Sequence, residues 1–302
     1  MFERTRNQII TAALLKCRVG AAGEDVQAEE MLVGTRELNT IIKFWQTQGF
    51  HIWKLPEAVL FLRKGQSTYQ LGTDEVYCSS EIKETNLKFQ AYKEQNEIYL
   101  NNLPSVGDKI GITLVSGDIF FTEVTNVGEY VTLKDGLPDD ACECGKVYYY
   151  SKRTGKPLKI LQARRECDGS QIPMNFLEQE QFFKLVGNDE GAPLNYSYMP
   201  KIDVGELKVW HTPSNDHTLM RFIYEQEFDI FENSKDLPDI PAEWIEPLTW
   251  ELAYKLSANY GLGLEERNWL KEQAKEALEQ AKRFDQETGS FYLQLAQDRG
   301  AF

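Results

Sequence analysis

Three histidines in 302 residues leave little room for imidazole chemistry. His51, His211 and His217 fit neither an H-E-x-x-H nor an H-x-E pattern, and no carboxylate spacing around them suggests a triad. Glycine-rich phosphate loops are missing too. There is no Walker sequence and no G-x-G-x-x-G. No run of 18 or more apolar residues occurs, so no transmembrane helix is expected. The first residues, "MFERTRNQII", carry acid and base together and have no signal-peptide apolar stretch. A cytoplasmic origin is therefore expected. Five cysteines are scattered at 17, 78, 142, 144 and 167, and the C-x-C at 142 and 144 lacks the second pair a zinc site needs. Reduced thiols and no metal or cofactor are the expectation.

What the chain does have is acid. Asp and Glu number 47 against 33 Lys and Arg, for a net charge of −14. Bulk attraction to nucleic acid is excluded, because a polyanion needs phosphate-neutralising cations. A surface that DNA slides past without sticking is compatible with that charge. With so many acids, some carboxylate pair will be close by chance. A glycan hydrolase working through such a pair stays open as the rival reading.

Apolar periodicity marks helices at both ends of the chain. Arg4–Lys16 places Ile9 and Ala13 on one face, with Ile10 and Leu14 beside them. From Val26 to Gln48, Met31, Leu38, Ile42 and Trp45 recur at spacings of seven, four and three, widened by Ile41. Asp25 is the expected cap before this helix and Gly49 the expected stop after it. Near the other end, Pro238 and Pro241 keep the chain extended, and Pro247 suits a first helical turn. Trp244, Leu248, Leu252, Leu256 and Tyr260 then recur every fourth residue until Gly261 and Gly263. A further helix runs from Leu264 to Phe284, with Leu270, Ala274, Ala277, Leu278 and Ala281 on one face. Each helical pair has an apolar side it cannot bury alone, so the two pairs are expected to share one bundle.

Between them the period becomes two. Ala58–Gly72 reads as strand, turn at Lys64-Gly65, and strand. "NEIYL", "VGDKIGITLVSGDIFFTEV", "YVTL" and "VYYY" supply further strands, with a turn at Ser116-Gly117-Asp118. "ELKVWHTP" and "HTLMRFIYEQEFDIF" read as β structure as well. The expected fold is α+β: a helical bundle from the N- and C-terminal hairpins, a β region, an inserted small β-barrel-like unit and an extended C-terminal tail. The expected segments are 1–103 (first hairpin and start of the β region), 104–150 (inserted β unit), 151–235 (β region), 236–284 (second hairpin) and 285–302 (tail).

Two surface features stand out. Residues 151–165, "SKRTGKPLKILQARR", hold Lys152, Arg153, Lys156, Lys159, Arg164 and Arg165 and no acid. This is either a solvated loop and edge strand or a contact with a negative surface, DNA or an acidic partner. The tail carries Phe291, Tyr292 and Phe302, which a merely solvated segment does not need, so it reads as a docking element.

Three stretches carry a family resemblance: Ala21–Trp53, Lys156–Leu185 with "GAPLNYSYMP" and "GELKVWHTP", and "DLPDIPAEWIEPLTWELAYKLSANYGL" with its following helix. Their order resembles the head-to-tail adaptor proteins of short-tailed bacteriophages, also called tail accessory factors or packaged-DNA stabilisation proteins, to which tail tubular protein A is related. The inserted β unit also looks like one seen in these proteins, though it is absent from the shortest members. The resemblance implies a non-enzymatic virion protein at the head–tail junction, assembled in the host cytoplasm. It implies a dodecameric ring beneath the portal protein, a four-helix core, DNA passing through the lumen without sequence-specific binding, and a platform for nozzle or tail-fibre components. The basic stretch and the tail aromatics are the residues expected to meet the portal or a neighbouring subunit.

Overall fold

A computed structural model of the protein describes residues 4–18, 26–48, 55–74, 76–167, 169–185, 187, 189–227, 230–237 and 240–285, the last two without their side chains. The chain divides into two compact units. One joins Met1–Trp53 to Phe228–Phe302, and the other is Lys54–Glu227.

The first unit holds α1 (Arg6–Lys16) and α2 (Ala28–Thr47) from the front of the chain. Thr5 caps α1 by accepting from the Gln8 N–H, while the Gln8 side chain accepts from the Thr5 N–H. Glu30 accepts from the Gln27 N–H at the start of α2. The expected cap Asp25 and stop Gly49 lie outside the described residues. Gly34 is where α2 meets α1: a Cβ there would sit 2.5 Å from a methyl of Ile10, so only glycine permits this approach.

From the back of the chain, a single 3₁₀ turn (Ala242–Trp244) leads into a 12-residue helix (Ile245–Leu256), followed by a 22-residue helix (Leu264–Asp285). Leu248, Leu252, Ala253 and Leu256 are fully buried, in the same apolar cluster as Ile9, Ala13, Leu38, Ile41, Ile42 and Leu270. Trp244 meets Trp45 edge-on with ring centroids 5.5 Å apart. Thus residues more than 200 positions apart complete one core. The segment leading into the 3₁₀ turn is pinned at both helices. Asn39 exchanges two hydrogen bonds with the Phe231 backbone, at 2.9 and 3.1 Å, and the Arg6 N–H donates to the Asp236 carbonyl at 2.9 Å. The fourth-residue repeat outlasts its helix. Tyr260 lies beyond the helix end at Leu256, where the Ser257 hydroxyl donates to the Tyr254 carbonyl and Gly261 turns at φ +66°.

Strands dominate the second unit. In chain order they are β1 (Glu57–Phe61), β2 (Thr68–Leu71), β3 (Cys78–Ser79), β4 (Lys83–Asn86), β5 (Glu97–Ile98), β6 (Lys109–Thr113), β7 (Ile119–Val127), β8 (Val131–Leu133) and β9 (Lys146–Tyr150). They continue with β10 (Lys159–Cys167), β11 (Ser170–Phe176), β12 (Glu190–Gly191), β13 (Asn195–Pro200), β14 (Gly205–Trp210), β15 (Thr212–Pro213) and β16 (Leu219–Glu225). Within this unit α3 is the short helix Gln179–Phe183; the two helices near the C-terminus are α4 (Ile245–Leu256) and α5 (Leu264–Asp285).

One sheet has eight strands in the order β2-β14-β13-β11-β10-β16-β1-β3. Its inner face buries Leu60, Tyr69, Ile160, Tyr196, Leu207, Phe222 and Tyr224. The strand, turn and strand expected over Ala58–Gly72 are present, but β1 and β2 do not pair with each other: β16 takes β1 and β14 takes β2. The basic stretch is not an edge strand either: β10 lies between β11 and β16, its buried Ile160 and Ala163 earning it an interior place.

The other large sheet runs β4-β9-β6-β7-β8-β5. Just beyond β4 and β5, Leu87 bridges to Leu100, the Lys88 N–H donates to the Tyr99 carbonyl at 2.8 Å, and the Asn101 N–H donates to the Asn86 carbonyl at 3.2 Å. Those bonds join the first strand to the last and close the sheet around Ile98, Ile110, Ile112, Val131, Leu133 and Val147. The barrel-like sheet therefore recruits residues from Lys83, upstream of the expected start at 104. The turn at Gly117 adopts φ +90°, which glycine tolerates without strain. Val59, Phe61, Tyr148 and Leu219 bury the contact between the two sheets, joined by Phe121 stacked on Tyr77 at 4.0 Å.

Cys17 and Cys78 are enclosed by these cores, and burial pushes their thiols up to about 11 and about 12. Cys142 and Cys144 are exposed. A thiol reagent at pH 8 should label Cys142 and Cys144 quickly and spare Cys17 and Cys78 until the chain unfolds. Both shifts are upward, so the stability tied to the protonated thiols is whole below about pH 9 and is lost as pH climbs toward about 11 for Cys17 and about 12 for Cys78. Equal labelling rates for all four in the folded protein would contradict this.

Candidate functional site

The six cations of the basic stretch do not form one patch. Arg153 is ion-paired with Asp74. Lys156 donates to the Lys201 and Ile202 carbonyls at 3.1 and 2.8 Å, and is committed to a neighbouring loop. Lys152 and Lys159 are exposed. Arg164 is exposed, with its guanidinium on the Gln171 side chain at 3.1 Å. Arg165 is half-buried, and its Nε is enclosed without a protein partner. Two of the six, Arg153 and Lys156, are thus spent inside the fold. The tail aromatics Phe291, Tyr292 and Phe302 lie outside the described residues.

Composition gave no hint of the charge cluster around Arg221. Arg221 on β16 stands opposite Arg164 on β10, an unfavourable cross-strand pair on its own. Three carboxylates offset it: Glu166, which accepts from the Arg221 Nε, and Glu57 and Glu84, each 3.5 Å away. Glu57 and Glu166 belong to the eight-stranded sheet and Glu84 to the barrel-like one, so this cation ties the two together. A hollow of about 260 Å³ opens beside it, lined by Glu57, Leu161, Arg164, Phe176, Arg221 and Ile223.

His211 stacks on Trp210 at 3.6 Å, and His217 has an enclosed Nδ1 with no protein partner. His51 lies outside the described residues. Among the described residues no group of three or more His, Cys, Asp or Glu is placed to hold a metal ion. No described helix is long and apolar enough to cross a membrane.

Three aromatic rings form a row on the barrel-like sheet, Phe89 exposed and Tyr99 and Tyr130 half-buried. Phe89 is 51% exposed and meets Tyr99 edge-on at 5.4 Å, and Tyr99 meets Tyr130 edge-on at 6.0 Å. The pattern Ile98-Tyr99 and Tyr130-Val131 is the available sequence signal, since alternation turns the tyrosines out where the aliphatics turn in.

No protein-family model matches this chain, and no curated protein does. Among solved structures the chain is similar to VP17, a capsid protein of bacteriophage P23-77, at 11% identity, over 60% of this chain and 75% of that one, with a TM-score of 0.12. Superposition at that level carries nothing about fold or function.

Proposed function

We propose that this chain is a structural virion protein, a head-to-tail adaptor of the short-tailed phage type. In this reading it forms a closed ring, with twelve copies expected, beneath the portal protein. It extends the DNA channel, helps to retain the genome and offers a platform to tail components. It performs no catalysis. The observation that supports this best is the helical unit. Residues from both chain ends share one core around α4, with the β-rich unit inserted between them. The resemblance of Ala21–Trp53 and Asp236–Leu262 to such adaptors implies helices from both chain ends in one core, and the shared cluster supports that reading. A ring needs a heterologous contact, one patch meeting a different patch on the next copy. Lys152, Lys159, Arg164 and Arg165, not fully spent on internal partners, suit such a contact with an acidic neighbour.

The mass of the protein in solution, alone and with portal rings of its phage, tests the reading. A portal-dependent rise to a multiple of the chain mass is expected, and a chain that stays monomeric beside portal rings would refute it. Deleting Ser290–Phe302 should leave the melting temperature unchanged and remove portal association, because anchoring aromatics carry much of an interface's energy. Undiminished association would reduce the tail to decoration. Arg164→Ala with Arg165→Ala should weaken ring assembly and leave the poor DNA affinity unaltered. A salt-steep DNA affinity of assembled rings that flattens in this variant would instead assign these arginines to phosphate.

A further inference from the structure

The aromatic row on the barrel-like sheet has no part in the adaptor reading. Its position follows from strand alternation and barrel closure. Ile98 and Val131 are paired and point inward, so Tyr99 and Tyr130, one residue on and one residue back, point outward side by side. Glu97 and Thr132, also paired, share that outer face. Lys88 follows the closing bridge of Leu87 with Leu100 and holds Tyr99 through its backbone, and Phe89 comes next. Three rings from three separate segments thus line up beside one another. Their interplanar angles of 76° and 61° keep them from stacking face to face, so ring surface stays available to a visitor. Phe89 is exposed and Tyr99 and Tyr130 are half-buried, so part of each ring is open to solvent.

The charges around the rings select the visitor. Lys88, its Nζ 5.7 Å from the Phe89 ring centre, stands beside the row, with the exposed acids Glu97 and Glu129 on the segments of Tyr99 and Tyr130. A single-stranded nucleic acid also stacks on aromatics, but it needs a cationic groove along its backbone. Here exposed Glu129, next to Tyr130, joins Glu97 against Lys88, so the row is not a cationic groove, and the chain as a whole is −14. A neutral polyhydroxylated ligand suits the site. Pyranose rings present C–H faces that pack on Phe and Tyr. The two tyrosine hydroxyls, Glu97 and Thr132 offer donors and acceptors to sugar hydroxyls. We propose that Phe89, Tyr99 and Tyr130 form a binding ridge for a neutral oligosaccharide.

Calorimetric titration of the full-length protein with maltoheptaose, cellohexaose and N-acetylchitohexaose tests this, with a 20-mer of deoxythymidylate as the nucleic-acid arm. Saturable binding to at least one oligosaccharide is expected, little changed between 50 and 500 mM salt. Phe89→Ala and Tyr99→Ala should each weaken it at least tenfold with the thermal midpoint unchanged. Tyr130→Phe, which keeps the ring, should weaken it less than either. The proposal is overturned if no sugar binds, if the alanine variants bind equally well, or if only the oligonucleotide binds and does so with steep salt dependence.

Discussion

Leu252→Asp should abolish the cooperative unfolding transition of the helical unit. Leu252 is fully buried in α4, within the cluster that holds Ile9, Leu38, Ile42 and Leu270. An unpaired carboxylate there costs several kcal/mol, or forces its own protonation at similar expense. A domain has only about 5–15 kcal/mol to lose. Ile42→Asp, made in α2 from the other end of the chain, should do the same, since Ile42 is 3% exposed in the same cluster. Thermal melting followed by far-ultraviolet circular dichroism reads both. If either variant melts at the temperature of the parent protein, the core shared by the two chain ends does not exist.

Arg221→Met should be the most damaging removal of a charged side chain. It leaves Glu57, Glu84 and Glu166 facing one another around a side-chain position that is 23% exposed in the parent. Partial solvent access screens some of the repulsion, so a loss of about 1–3 kcal/mol is expected, a middle value between exposed and buried pairs. A second change, Glu166→Gln, should restore part of it by removing the nearest carboxylate. Urea unfolding of the parent, the single and the double variant gives the coupling directly. A single variant as stable as the parent would show that the three carboxylates do not need their cation.

The helices were legible because their signal is local. The spacing of Leu248, Leu252 and Leu256 needs no knowledge of the rest of the chain. It overshot at Tyr260, where Ser257 and Gly261 outweigh periodicity. Strand pairing was not legible, because partners are far apart. β1 pairs with β16, and nothing local in Ala58–Gly72 announces that β2 will leave for β14. For the same reason the charge run at 151–165 was visible as composition while its partners were not. Asp74 and the carbonyls of Lys201 and Ile202 are distant in sequence, and only the fold brings them to Arg153 and Lys156. Arg221 looked like any strand arginine until Glu57, Glu84 and Glu166 arrived from three other strands. Phe89, Tyr99 and Tyr130 are scattered until closure of the sheet aligns them.

The adaptor reading stands or falls on an image. Purified full-length protein mixed with portal rings of its phage and viewed by negative-stain electron microscopy should show a second ring stacked coaxially on the portal, with twelvefold symmetry in end views and an open axial channel. Portal rings that remain bare at saturating concentrations of a folded chain would contradict it.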